Sequence, residues 1–147
     1  MNQFDPKKQI TNCGDILKND GSLPSFYESH VIALNYKRGD YIQEIDGFDE
    51  PTIEASIEMT YEEPPYVLDI NFYQCTAIEM SYFNFDNTIE KLTFHTEQRG
   101  FCADDITPLS PYICVEIGTK EHTLFTSFKC CNIEVTGKRE IKGASYI

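Results

Sequence analysis

From residue 29 onward the apolar residues of this chain recur at every second position. The stretch "TIEASIEMTY" shows the pattern most clearly. Ile53, Ala55, Ile57, Met59 and Tyr61 fall on one side, and Thr52, Glu54, Ser56, Glu58 and Thr60 on the other. Successive side chains of a strand point to opposite faces, so this spacing predicts a strand with one dry and one wet face. "YVLDINFYQ" aligns Tyr66, Leu68, Ile70 and Phe72 in the same way, and "TAIEMSYF" aligns Ile78, Met80 and Tyr82. "YICVEIG" offers Ile113, Val115 and Ile117, and "CNIEVTG" offers Cys131, Ile133 and Val135. Two less regular runs contribute Leu92 with Phe94 and Leu124 with Phe128.

Turn signals separate these runs: "YEEPPY", "NFDN", "EQRG", "TPLSP", "GTKEH" and "TGKRE". Strands joined by short turns, with no helix between them, pair antiparallel. No long helix is available to cover a flat sheet, so the strands must cover one another. The expected fold is mostly β: an antiparallel two-layer sandwich or strongly curved sheet of about eight strands, with a short N-terminal helix. Residues 1–147 are read as a single domain.

The helix signal lies in "FDPKKQITNCGDILKND". Asp5 is placed to cap free backbone N–H groups, and Pro6 suits the first helical position. Ile10, Ile16 and Leu17 form a loose apolar stripe, which Gly14 weakens. Gly21 and Pro24 then end the element.

Composition narrows the function. Lysine and arginine total 12 against 24 acids, a formal net charge of −12. Binding to a phosphate backbone or an anionic membrane needs clustered cations, so nucleic acid and membrane are excluded as partners, and a cationic partner is favoured. The first ten residues contain no apolar leader core and the longest aliphatic run is "VIAL", so a soluble, cytoplasmic protein is expected. Its six cysteines, without a C-x-x-C pair, read as reduced, buried apolar fillers.

The charge is segregated. Residues 39–90 contain no Lys, Arg or His but hold thirteen of the 24 acids, which leaves eleven acids against all 12 lysines and arginines elsewhere. Asp40, Glu44, Asp46, Asp49 and Glu50 are expected in a loop before the strand that carries Glu54 and Glu58, with Glu62 and Glu63 in the turn after it. These nine residues are the expected partner-binding surface, a contiguous acidic face. "DYIQEIDGFDE" does not have the spacing of a calcium loop.

No constellation for catalysis stands out. The histidines, His30, His95 and His122, make no metal-ligand spacing, and no phosphate-binding or nucleophile-elbow motif occurs. A Cys102–His95 pairing in space stays open, as does acid–base work by Asp104 and Asp105, although an Asp pair in a loop reads first as a turn-former. No catalytic residue, metal site or cofactor is expected.

The segment "LPSFYESHV", residues 23–31, resembles the signature of the immunity protein 50 family of bacterial polymorphic toxin systems, approximately Trp-Pro-Ser-Phe-His-Asp-Ala-Glu-Val. Pro24, Ser25, Phe26 and Val31 match and Glu28 replaces Asp, while Leu23, Tyr27, Ser29 and His30 depart. "YFNFDNTIEKLTF" and "FTSFKCCNIEV" are similar to later parts of the family pattern. The resemblance implies a mostly β, non-enzymatic protein that binds and blocks a cognate toxin, often a nuclease with a basic cleft. Locally, Pro24 and Ser25 suit a turn start, Phe26 a core anchor, and Glu28 a local cap or pair. Two other readings stand beside it: a small-ligand module with a Tyr- and Phe-lined pocket between the sheets, and an enzyme using Cys or His.

Overall fold

The computed structural model describes residues 4–80, 88–119 and 126–141. Helix α1 spans Pro6–Gln9, and the Asp5 side chain accepts a 3.1 Å hydrogen bond from the Lys7 N–H. The helix stops there because Ile10 turns extended and enters β1 (Ile10–Thr11). Ile10 and Ile16 are buried and Leu17 packs against the core. They do so from a two-residue strand and the following loop, so the expected helical stripe does not form.

The remaining strands are β2 (His30–Lys37), β3 (Tyr41–Ile42), β4 (Gly47–Phe48), β5 (Thr52–Met59), β6 (Tyr66–Tyr73), β7 (Thr76–Met80), β8 (Ile89–Glu97), β9 (Tyr112–Thr119), β10 (Thr126–Cys130) and β11 (Asn132–Glu140). Eight strands, β2 and β5 to β11 without the two-residue pieces, are five residues or longer, and they build the two layers. One sheet runs β1-β11-β6-β5-β2, the other β7-β10-β9-β8, and β3 with β4 forms a separate small hairpin. The long strands pair antiparallel, and β1 joins β11 in parallel.

The alternating residues meet in one core. Ile53, Ile57, Leu68, Ile70, Phe72 and Ile133 from the first sheet pack with Ile89, Ile113, Val115, Ile117 and Phe128 from the second. Phe72 and Phe128 touch across the layers edge to face, with ring centroids 4.9 Å apart. Each such aromatic buries much apolar surface and fixes how the layers sit.

The chain changes sheet twice at one corner. β6 gives way to β7 through Gln74 and Cys75, and β10 gives way to β11 through Cys131 alone. Gln74 and Ala77 adopt positive φ to make the first bend. The Cys131 N–H donates to the Tyr73 carbonyl at 3.0 Å, which ties the two crossings together. This bend corrects two expectations. Cys130 points inward and is fully buried, whereas Cys131 is half-buried at the crossing and not on the dry face. Tyr61 lies beyond the end of β5 and is 75 % exposed, so the dry face of that strand stops at Met59. Tyr82 and Leu124 fall outside the described residues.

Candidate functional site: the acidic hairpin and the face beside it

The acidic window divides into three places. The first is the β3–β4 hairpin. Tyr41 pairs with Phe48 and Ile42 with Gly47, joined by a tight 3-10 turn at Gln43–Ile45. Asp46 closes the turn in the left-handed region, φ 49°, which a short polar side chain tolerates better than most. Its carboxylate accepts a 2.6 Å hydrogen bond from the Tyr41 hydroxyl, which raises the Tyr41 pKa. At the base, the Asp49 N–H donates to the Asp40 carbonyl at 2.8 Å. Gly39 sits so close beneath that a Cβ there would meet the Asp49 carbonyl oxygen at 2.1 Å, so only glycine fits. Asp40, Glu44, Asp46, Asp49 and Glu50 are all exposed. Among the described residues no lysine or arginine pairs with any of them.

The second place is the outward face of the five-stranded sheet. Here the carboxylates have partners. Glu54 stands between Asn35 and Asn71 in register, accepts from the Asn35 amide at 3.1 Å and pairs with Lys37 at 3.5 Å. Asp69 takes a two-pronged contact from Arg139, at 2.7 and 2.9 Å, and a 2.7 Å hydrogen bond from Ser56. The Arg139 hydrogen bond chiefly holds the Asp69 carboxyl below its usual pKa, and burial opposes it. Glu134 accepts from the Tyr73 hydroxyl at 2.6 Å. Glu58 lies 3.9 Å from His30 Nδ1, a buried atom without a hydrogen-bond partner among the described residues. Glu62 and Glu63 lie in the turn beyond β5, Glu63 exposed and preceding a cis Pro64.

The third place is the opposite layer. Glu79 on β7 and Glu90 on β8 are exposed on the four-stranded sheet, so the thirteen acids of the window do not share one face. Asp86 lies outside the described residues. The contiguous part is the hairpin with Glu54, followed along β5 by Glu58, roughly 13 Å further on at the usual rise of a strand.

The segment that resembles the immunity signature is a clasp between the layers. Pro24 and Phe26 are buried, and Phe26 meets Phe94 edge to face at 6.4 Å. Ser25 Oγ accepts from the Tyr27 N–H, and the Ser29 N–H donates to the Phe26 carbonyl. Glu28 adopts φ 66°, its N–H donates to the Ile89 carbonyl, and the Ile89 N–H donates to the Ser29 carbonyl. His30 then bridges Thr88 and pairs with Glu58. The turn therefore joins β2, an edge of one sheet, to β8, an edge of the other. Tyr27 is 54 % exposed at its tip.

Other chemistry has been placed as well. Asp104 accepts from the Ile106 and Thr107 N–H groups and the Thr107 hydroxyl, and Asp105 has φ 57°, so the Asp pair builds a turn. His95 faces Glu116 on the outer side of the four-stranded sheet, and no hydrogen bond joins it to Cys102 in the following loop. Burial pushes the Cys75 thiol up to about 12 and raises Cys130 further, so neither offers a thiolate near neutrality. A groove of about 480 Å³ crosses that outer face, lined by Glu79, His95, Glu97, Glu116 and Lys129 among others. Lys129 pairs with Glu97 at 2.6 Å within it. Between the sheets, Phe72 and Phe128 are in contact and leave no aromatic-walled gap where they meet. Among the described residues no cluster of three or more His, Cys, Asp and Glu could hold a metal ion, and no helix is long and apolar enough to cross a membrane. No family model, curated protein or solved structure matches this chain.

Proposed function

We propose that this chain is an immunity-type protein of a bacterial polymorphic toxin system. It acts in the cytoplasm, without catalysis, by binding and neutralising a cognate basic toxin, a nuclease being the favoured class. The acidic surface that starts at the β3–β4 hairpin and continues along Glu54 and Glu58 makes the contact. One observation carries the reading: five exposed carboxylates, Asp40, Glu44, Asp46, Asp49 and Glu50, gather on or beside one small hairpin, and among the described residues no lysine or arginine forms an ion pair with them. Like charges held so close repel one another, and a basic partner offsets that cost and is steered in by it. The likeness of Pro24, Ser25, Phe26 and Val31 to the immunity signature supports the same reading.

Co-expression with candidate basic toxin domains, sought first among the products of neighbouring genes, tests it. Growth should be restored by this chain and not by an unrelated acidic protein. Reversing Glu44 and Asp49 to lysine should slow association with the neutralised domain about ten-fold and flatten its salt dependence. Reversing Glu54 and Glu58 should do less, because Glu54 already has Lys37 beside it. No protection by the wild-type chain, or association that is indifferent to hairpin charge, overturns the proposal.

A further inference from the structure

The hairpin carries more than charge. Tyr41, Ile45 and Phe48 are 53 %, 66 % and 48 % exposed, and Tyr36, at the end of the strand leading into the hairpin, is 54 % exposed. Single exposed apolar residues are ordinary, but three on one small hairpin, with Tyr36 on the strand that leads into it, stand out. Two of the rings are braced. Tyr41 and Phe48 stand opposite each other in register, edge to face at 5.6 Å, and the Asp46 hydrogen bond and the tight Gly39 base hold them there. Rings presented without freedom to lose are the residues that dominate protein interfaces.

One of these rings already holds a cation of the chain itself. The Arg38 guanidinium lies 4.0 Å above the Phe48 ring. A planar guanidinium stacks on an aromatic face while its N–H groups reach neighbouring carboxylates, which the compact ammonium of lysine cannot do as well. Glu44 in the hairpin turn and Asp49 and Glu50 directly after β4 are all exposed.

Resting on the reading above for the location of the surface, we infer that the hairpin is an arginine-reading anchor. Tyr36, Tyr41 and, in exchange for Arg38, Phe48 take up arginine side chains of a basic protein partner, and the carboxylates of the hairpin pair with their charge. The same charges argue against other occupants. A second copy related by a two-fold axis would set these carboxylates against their own images, and an anionic lipid surface would repel them.

The test uses a deca-arginine and a deca-lysine peptide, titrated into the full chain at physiological salt and followed by backbone amide shifts. Deca-arginine should bind several-fold tighter than deca-lysine and should perturb residues 36–50 most. Tyr41→Ala with Phe48→Ala should weaken deca-arginine about ten-fold. Tyr36→Leu with Phe48→Leu, which keeps apolar bulk and the Tyr41–Asp46 hydrogen bond that holds the hairpin, should cut the preference for arginine several-fold. Equal affinity for the two peptides, shifts centred on the groove of the four-stranded sheet, or a leucine variant that keeps the preference overturns the anchor. The two proposals fail separately. A ring variant that still neutralises the toxin at full affinity removes the anchor and leaves immunity standing. Arginine preference mapped to the hairpin, without any toxin neutralised, does the reverse.

Discussion

The hairpin and strands β5 and β6 come from one acid-rich stretch, yet among the described residues lysine and arginine pair with carboxylates of the sheet and with none of the hairpin. On the sheet, Asp69 has Arg139 and Ser56, Glu54 has Lys37 and Asn35, and Glu134 has Tyr73. On the hairpin, five carboxylates stand exposed, Asp46 takes the Tyr41 hydroxyl, and the guanidinium of Arg38 lies on Phe48. Cross-strand neighbours let a sheet satisfy its own charge, because register brings distant residues side by side. The hairpin's own register sets Tyr41 against Phe48 and Ile42 against Gly47, with no lysine or arginine among these pairs. The difference teaches that net charge does not identify a binding surface. What matters is which charges remain after the fold has used its own.

The comparison can be broken from below or at either side. The largest effect should come from Phe72→Ala, which removes the ring that meets Phe128 under both regions. It should cost about 3–5 kcal/mol, read from urea denaturation, and both regions should melt together. If the hairpin's amide signals survived that melting, the two regions would not share a foundation.

Gly39→Ala should come next, at about 1–3 kcal/mol, because the Asp49 carbonyl must move out of the way. Its effect is local. The Asp49 amide should lose protection from hydrogen exchange while amides of β5 and β6 keep theirs. Uniform loss across both regions would mean that the hairpin is integral to the sandwich.

Asp69→Asn should be the mildest, about 1 kcal/mol after allowing for partial exposure. Here pH sharpens the contrast. The folded-state pKa of Asp69 lies below its usual 3.8, so its contribution is present above that value and is lost as pH falls through the folded pKa. The stability gap between wild type and variant should be flat above about pH 5 and shrink below pH 3.8. A gap that widened on acidification would mean that Asp69 is not stabilised as a carboxylate.

Much of the fold was legible in the chain. Period-two spacing placed Ile53, Ala55, Ile57 and Met59, and Leu68, Ile70 and Phe72, on the dry side, where they are buried. The Asp5–Pro6 start was legible too, since capping is a local matter. What pattern cannot carry is the third dimension. Strand alternation does not say which sheet a strand joins, so Ile133 and Val135 fell on the dry face as expected while Cys131, in the one-residue crossing before β11, did not. Asp69 and Arg139 meet across seventy residues of chain, and nothing local to either announces it. Aromatic residues read as core by default, and this hid Tyr36, Tyr41 and Phe48, whose exposure is a property of the hairpin's position. The acidic loop itself was visible as an absence of cations, the kind of signal that survives without knowledge of topology.

The clasp at Glu28 and Ser29 bears on a hazard common to open sandwiches. Strand β2 is an edge eight residues long, a template on which a foreign strand could grow into a fibril. Its beginning is occupied by the bonds to Ile89 and the bridge to Thr88, and the ladder is interrupted again by the irregularity between Val31 and Ala33. The bridge to Thr88 leaves the later part of β2 as the stretch open to an incoming backbone, shorter than the whole edge. The same turn that locks the two layers together thus protects the molecule from polymerising through its own margin.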